Sequence, residues 1–308
     1  MRSSRMMLFP SIFLLLVISS CSTTPDKARM DLKKMNVAFD NNTFVTKSGE
    51  GDVEAVRLFL DAGIDPNIAD EDGETALIAA AKAGRREVVE RLLSSGADIN
   101  GKDDKSDGTP LVWAALNGHT DTVRLLLSKG ADLKARENNN GMTALHAAAF
   151  KGHAGTVSVL LDDGVDIEIR DNHGRTPLIW AARGGKAETV KLLLNRGAKI
   201  EAIEEEYGQS ALTAAAMMGH TEVETLLLDR GANIEKTDRD GKTPLMWAAQ
   251  YGRVETVELL LKRGANADAK DNKGRTAMWW TRENKRKKTR EKTREILRKA
   301  GAVAEEGR

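Results

Sequence analysis

Two kinds of apolar segment alternate along most of the chain. The first is short and alanine-rich, as in Pro110–Leu116 (PLVWAAL). Its small pair Ala114-Ala115 lets such a helix pack closely on its neighbours. The second carries apolar residues at i, i+3 and i+4, as in Val89/Leu92/Leu93 and Val123/Leu126/Leu127, the one buried stripe of an amphipathic helix. Each alanine-rich segment is preceded by a hydroxyl residue: Thr75, Thr109, Thr143, Thr176, Ser210, Thr243 and Thr276. That hydroxyl can cap free N–H groups, and Pro110, Pro177 and Pro244 suit the next position, where no N–H is needed. Glycines at 84, 118, 152, 185, 219 and 252 end the first helix, and glycines at 96, 130, 164, 197, 231 and 264 close the second. A polar finger rich in Asp, Asn, Lys and Gly then leads on. The hydroxyl residues are spaced 34, 34, 33, 34, 33 and 33 apart, so the chain is a repeat array and residues must be compared by repeat position before any is given a role.

The pattern T-P-L-x-x-A-A-x-x-G-H…V-x-x-L-L…G-A-D resembles the ankyrin repeat at almost every position, over roughly residues 36–304. The resemblance implies an all-α fold: a solenoid of helix-turn-helix repeats joined by β-hairpin-like fingers. Full repeats are expected near 72–106, 107–139, 140–171, 172–206, 207–239 and 240–272, between caps at 36–71 and 273–304. Neighbouring repeats bury each other's faces, so stability is close to a sum of local and nearest-neighbour contributions. No central cavity is needed, and no enzyme-type pocket is implied.

Four departures stand out. In the first cap Asn42 takes the place of Thr and Phe44 that of Leu, as expected where one face meets no neighbour. Glu224 stands where other repeats have Val89, Val123, Val157, Val190 and Val257. A carboxylate on that stripe costs stability unless it is paired or reaches water. Either the helix rotates by a residue so that Val223 packs instead, or the fifth repeat is a soft joint. In the finger Lys102–Asp107 the turn glycine found two before Thr elsewhere is displaced, with Asp107 in its place. The last repeat reads Ala277-Met278-Trp279-Trp280 and spans 25 residues from Thr276 to Gly301, against 21 in each full repeat. The surplus falls in the basic stretch Lys285–Lys292.

The N-terminus has another character. Arg2 and Arg5 precede the apolar run Met6–Ile18, too short to be read as a membrane span. It leads into Ile18-Ser19-Ser20-Cys21, with the only cysteine of the protein. The stretch resembles a bacterial lipoprotein signal. That implies residues 1–20 as a signal peptide, lipid on Cys21, and a mature chain without disulfides. Several acyl chains anchor stably where one does not. Ser22, not Asp, favours the outer membrane over the inner. Residues 21–35 carry little periodicity and read as a tether.

Chemistry is sparse. Net charge is +1 over 308 residues and only 4% are aromatic. His119, His153 and His220 follow the mid-repeat glycine and His146 lies in T-A-L-H; ankyrin repeats commonly carry His at both places, there for folding. His173 lies on a finger. None has metal-site spacing, and no catalytic constellation is present, so no metal, cofactor, small-molecule substrate or enzyme activity is expected. Asp103/Asp104 and Glu204/Glu205/Glu206 read as solvated finger turns. Trp113, Trp180, Trp247 and Trp280 share one repeat position. They either pack between first helix and finger or form a half-exposed row on the concave face.

The two residues before each mid-repeat glycine line the concave groove in ankyrin proteins. Carried over here, they give Lys82, Leu116, Asn117, Phe150, Lys151, Arg183, Met217, Met218, Gln250 and Tyr251 as candidates for contact with a protein partner. The apolar members are expected to be exposed, and such a cluster usually marks an interaction site. Arg282–Lys299 holds ten Lys/Arg against three Glu, a local charge of +7. It is either a solvated capping helix or a surface for anionic lipid or polymer. Nucleic acid is not an expected partner of an exported protein.

Overall fold

The computed structural model describes residues 24–301. Within them the chain forms helices α1 (Pro25–Lys34), α2 (Asn41–Glu50), α3 (Val53–Asp61), α4 (Ala76–Lys82), α5 (Arg86–Ser94), α6 (Pro110–Leu116), α7 (Thr120–Ser128), α8 (Ala144–Lys151) and α9 (Ala154–Asp162). It continues with α10 (Pro177–Arg183), α11 (Ala187–Asn195), α12 (Ala211–Met218), α13 (Thr221–Asp229), α14 (Pro244–Tyr251), α15 (Val254–Lys262), α16 (Ala277–Trp280) and α17 (Lys287–Lys299). The even-numbered helices from α2 to α16 stack on one another as an inner row, and each packs on the outer helix that follows it. The outer helices α3 to α17 form a second, looser row. The core is therefore a ribbon running through the array, from Ala28 and Phe44 at one end to Trp280 and Leu297 at the other.

The hydroxyl residues cap the inner helices. Thr75, Thr109, Thr176 and Thr243 each accept the N–H three residues on, as does Ser210. The mid-repeat turn needs a left-handed residue, and Gly118 has φ 73° there. A side chain at Gly118 would also run into the ring of His153 from the next repeat. In return His153 Nε2 reaches the Leu116 carbonyl at 3.1 Å. His119 and His220 make the same bond to the carbonyls of Lys82 and Arg183. These rings tie neighbouring repeats together.

Several expectations are revised. Residues 25–34 of the stretch read as a tether fold as α1, whose Ala28 and Leu32 are fully buried against the first repeat pair. Their spacing of four gives only one turn of periodicity, too little to register. Cys21 lies outside the described residues, as do the last positions of the expected C-terminal cap. Asn42 does not cap: it lies inside α2, whose N-cap is Asp40, with a carboxylate that accepts the Thr43 N–H at 2.8 Å. Asn42 instead accepts the N–H of Glu71 in the first finger. The fingers are turns with isolated bridges at Ala69/Thr75 and Ile203/Ser210, and there are no strands among the described residues. The surplus of the last repeat lies in α17, which has 13 residues where the outer helices of the full repeats have nine. Glu224 neither rotates out nor reaches water: it and Val223 are both fully buried.

Asp107 takes φ 55°, the conformation that glycine supplies at the equivalent points of other fingers. For a residue with a Cβ this costs about 1 kcal/mol. Part of that is recovered because Asp restricts the unfolded chain more than Gly does. Asp107→Gly is expected to stabilise the protein by about 0.5 kcal/mol, read from urea melts; a clear loss of stability would show that the Asp side chain holds the finger.

Candidate partner-binding face

Each finger is organised by one acidic residue. The carboxylate of Asp103 accepts the N–H groups of Lys105, Ser106 and Gly108, and that of Asp171 those of His173 and Arg175. Asp238 and Asp271 repeat the arrangement. In the longer fingers Glu137 and Glu204 do the same work, each closing on three N–H groups. Asp103 and Glu204 are buried, so they are structural acids and not solvated turns; Asp104, Glu205 and Glu206 are exposed as expected. Successive fingers are joined by a backbone bond, as from Glu205 N–H to His173 and from Arg239 N–H to Tyr207.

The tryptophans complete this device. Trp113, Trp180, Trp247 and Trp280 donate their indole N–H to Asp103, Asp171, Asp238 and Asp271 at 2.8–3.1 Å. Their packing role between inner helix and finger is thus the one observed. Burial pushes the Asp103 and Asp171 carboxyls up, but the hydrogen bonds outweigh it and hold both below the usual range. At Asp238 burial wins and the pKa is raised. Arg175 pairs with Asp171 at 2.7 Å and lies over Trp180 at 4.2 Å. Lys242 is buried over Trp247 and Trp280, with its ammonium on Gln250 at 2.9 Å, and burial lowers its pKa. The signal was present in the sequence as an acid nine or ten residues before each Trp.

Three of the clefts between fingers and inner helices bear on the candidate residues. One of about 410 Å³ lies among Glu74, Lys82, Lys105 and Trp113. A smaller apolar one, about 190 Å³, is walled by Val112, Trp113, Leu116, Met142 and Ala147. The third, about 410 Å³, is bounded by Arg183, Tyr207, Met217, Trp247 and Tyr251. They lie in sequence along the array, each using the finger and inner helix of adjoining repeats.

The candidates from sequence divide accordingly. Lys82 is exposed and its ammonium sits 4.7 Å from the Trp113 ring. Leu116 walls the apolar cleft; Arg183, Met217 and Tyr251 meet in the third. Asn117, Lys151, Met218, Phe150 and Gln250 line none of the three. Asn117 and Lys151 stand exposed, and Gln250 is committed to Lys242. The expected exposed apolar cluster is not found as such. Leu116, Phe150, Met217 and Met218 are half-buried, Phe150 by an edge contact on Trp180 at 5.2 Å. Tyr251 alone of the apolar candidates is exposed, at 47%, stacked on Trp247. The finger residue Tyr207, 52% exposed, was missed because fingers carry no periodicity to flag it.

Burial holds His146 to a pKa of about 4, so it is neutral: Nδ1 accepts the Thr143 N–H, and Nε2 reaches the carbonyls of Ile169 and Arg175. His173 meets Glu206 at 2.9 Å. No group of three or more His, Cys, Asp or Glu could hold a metal among the described residues.

The family profile described as ankyrin repeats (3 copies) matches residues 44–137, 134–204, 200–271 and 223–292. Among curated proteins, 56 residues are 45% identical to Serine/threonine-protein kinase 12 of Arabidopsis thaliana and 39% identical to an ankyrin repeat-containing protein of Schizosaccharomyces pombe. In each case 18% of this chain is covered, and the match spans only 12% and 27% of those relatives. Among solved structures, the ankyrin repeat domain of human ASB11 superposes with a TM-score of 0.64 at 27% identity, over 72% of this chain and 98% of that one. The chain belongs to the ankyrin-repeat family, whose repeats are protein–protein interaction modules and whose fold is typically a binding scaffold, not an enzyme.

Proposed function

We propose that this protein is a binding scaffold of the bacterial envelope that holds a protein partner along its finger side. The observation that carries the reading is the run of three clefts between fingers and inner helices, with Tyr207 and Tyr251 exposed beside the third. Exposed aromatics next to Arg are favoured anchors in interfaces. Anchoring rests on the sequence alone: the apolar run ending in Ile18-Ser19-Ser20-Cys21 supports lipid on Cys21 and an outer-membrane position facing the periplasm. The matched segment of the Arabidopsis kinase is a repeat region and gives no ground for kinase chemistry here. A second reading draws on α17, whose basic side chains are mostly exposed while Thr293 and Leu297 face inward. It would let the cap grip anionic lipid or polymer. Envelope association of a Cys21→Ser form that disappears with added salt would favour that reading.

The test is photo-crosslinking in the native cell. A photoreactive residue at Asn117, Lys151 or Tyr251 is expected to trap one protein species. The same residue at Glu90 or Arg124, exposed on the outer helices, should trap none. Equal yields from both faces, or adducts from the outer helices alone, would remove the concave-face reading.

A further inference from the structure

The third cleft contains a charge without a counterpart. Nearly every ionised group around it is engaged. Glu204 accepts the N–H groups of Glu206, Tyr207 and Gln209. Glu206 meets His173, and Arg175 is divided between Asp171 and Asn140. Arg183 is the exception. Half-buried at the end of α10, its guanidinium has no hydrogen-bond or ion-pair partner among the described residues; burial first and Arg175 second disfavour its charge, opposed only by Tyr251. A guanidinium taken out of water needs an anion or acceptor in compensation. Its planar fork suits a carboxylate held by two parallel bonds.

The surroundings narrow the choice of anion. Tyr207 and Tyr251 stand about half exposed, and Met217 and Trp247 complete an apolar wall. They suit an apolar residue adjoining the anion. Glu204 and Glu206 line the same space, and their charge opposes a dianionic phosphate more than a single carboxylate. The cleft follows the other two along the array, so an extended segment lying across the fingers passes through it and presents a side chain to it. We propose that Arg183 is the receptor for an Asp or Glu side chain of an extended partner segment, with a flanking apolar residue held by Tyr207 and Tyr251. This inference rests on the concave-face reading and adds the chemistry of one subsite.

The probe is the blocked peptide acetyl-Phe-Glu-Phe-amide, followed through the Arg183 Nε–H and Trp247 indole N–H resonances of the ¹⁵N-labelled full chain. Binding is expected to saturate with a Kd on the order of 1 mM. The Gln counterpart should bind at least about tenfold more weakly, equivalent to about 1.4 kcal/mol. Arg183→Gln, read through the Trp247 indole N–H resonance in the same cleft, should abolish the preference for Glu over Gln, and because it removes an uncompensated charge the variant stays folded. The proposal is overturned by equal binding of the Glu and Gln peptides. It is equally overturned if only acetyl-Phe-Gln-Phe with a free C-terminus, or only inorganic phosphate, shifts the resonances, or if nothing saturates by about ten times that Kd. A displaced Arg183 resonance in Glu206→Gln without peptide would also overturn it, since Glu206 would then be the internal partner. Groove crosslinks that persist in Arg183→Gln would leave the concave-face reading intact while this subsite fails. Crosslinks absent from the groove in the unaltered protein would remove the reading itself.

Discussion

Glu224→Val is expected to raise the melting temperature by roughly 5–10 °C at pH 8, the gain expected from about 4 kcal/mol in a domain of this size. The carboxyl lies on α13 with no exposure; Oε1 accepts the Thr256 hydroxyl at 2.9 Å and Oε2 has no partner among the described residues. Burial pushes its pKa up to about 7 from 4.5, only partly opposed by Thr256. Below pH 4.5 both folded and unfolded chains carry the proton and the group costs nothing by titration. From there to about pH 7 the folded chain keeps a proton that the unfolded chain has released, so stability falls as pH rises. The loss amounts to about 3 kcal/mol for a shift of this size. Val removes it and restores the stripe, leaving a packing gain of about 1 kcal/mol even at low pH. Thr256 would lose its acceptor, but Thr189, at the equivalent position of α11, already stands without one. Melting curves of both proteins at pH 4.5 and pH 8 check this. A variant no more stable at pH 8, or one whose advantage is the same at both pH values, would show that Glu224 is not the weak point of the fifth repeat.

Residues whose job repeats were legible in the sequence. The capping hydroxyls, the mid-repeat glycines and the Val/Leu stripes recur every 33 or 34 residues, so each position was read six or seven times over. The histidines behind the mid-repeat glycine followed for the same reason. Legibility failed where a residue acts once or across repeats. Ala28 and Leu32 hold α1 through a single turn. Glu224 shows its strain only when the neighbouring helix is in place, since a rotation would otherwise have freed it. The finger acids recur, but in the sequence they lie among other acids. Only the fold separates Asp103, which closes on three N–H groups and an indole, from exposed Asp104. The apolar candidates were read with too much exposure. Phe150 meets Trp180 edge-on, and Leu116 and Met217 wall clefts beside Trp113 and Trp247, whereas Tyr207 and Arg183 gain their meaning from meeting in one cleft.

His146 is expected to titrate with a midpoint near pH 4, and His146→Gln to be less stable than the unaltered protein at pH 7 yet no less stable at pH 4. The imidazole is fully enclosed, and desolvation sets its pKa at about 4 against 6.5. The sign is opposite to that of Glu224. Above pH 6.5 the ring is neutral in both states and its bonds to Thr143, Ile169 and Arg175 are intact. As pH falls toward 4 the unfolded chain takes up a proton that the folded chain refuses, and about 3 kcal/mol of stability is lost. Gln cannot reproduce all three bonds, which costs about 2 kcal/mol at pH 7, but it carries no such titration, so the two stability curves converge or cross near pH 4. The windows of the two residues nearly coincide, 4.5 to 7 for Glu224 and 6.5 to 4 for His146, with opposed slopes. Over that range one offsets the other. Each single substitution should therefore steepen the pH dependence that the remaining residue imposes, and the double substitution should flatten it again. Proton NMR of the His146 ring is the direct measurement: a midpoint between pH 6 and 7 would mean that the ring reaches water, and the predicted compensation would be absent.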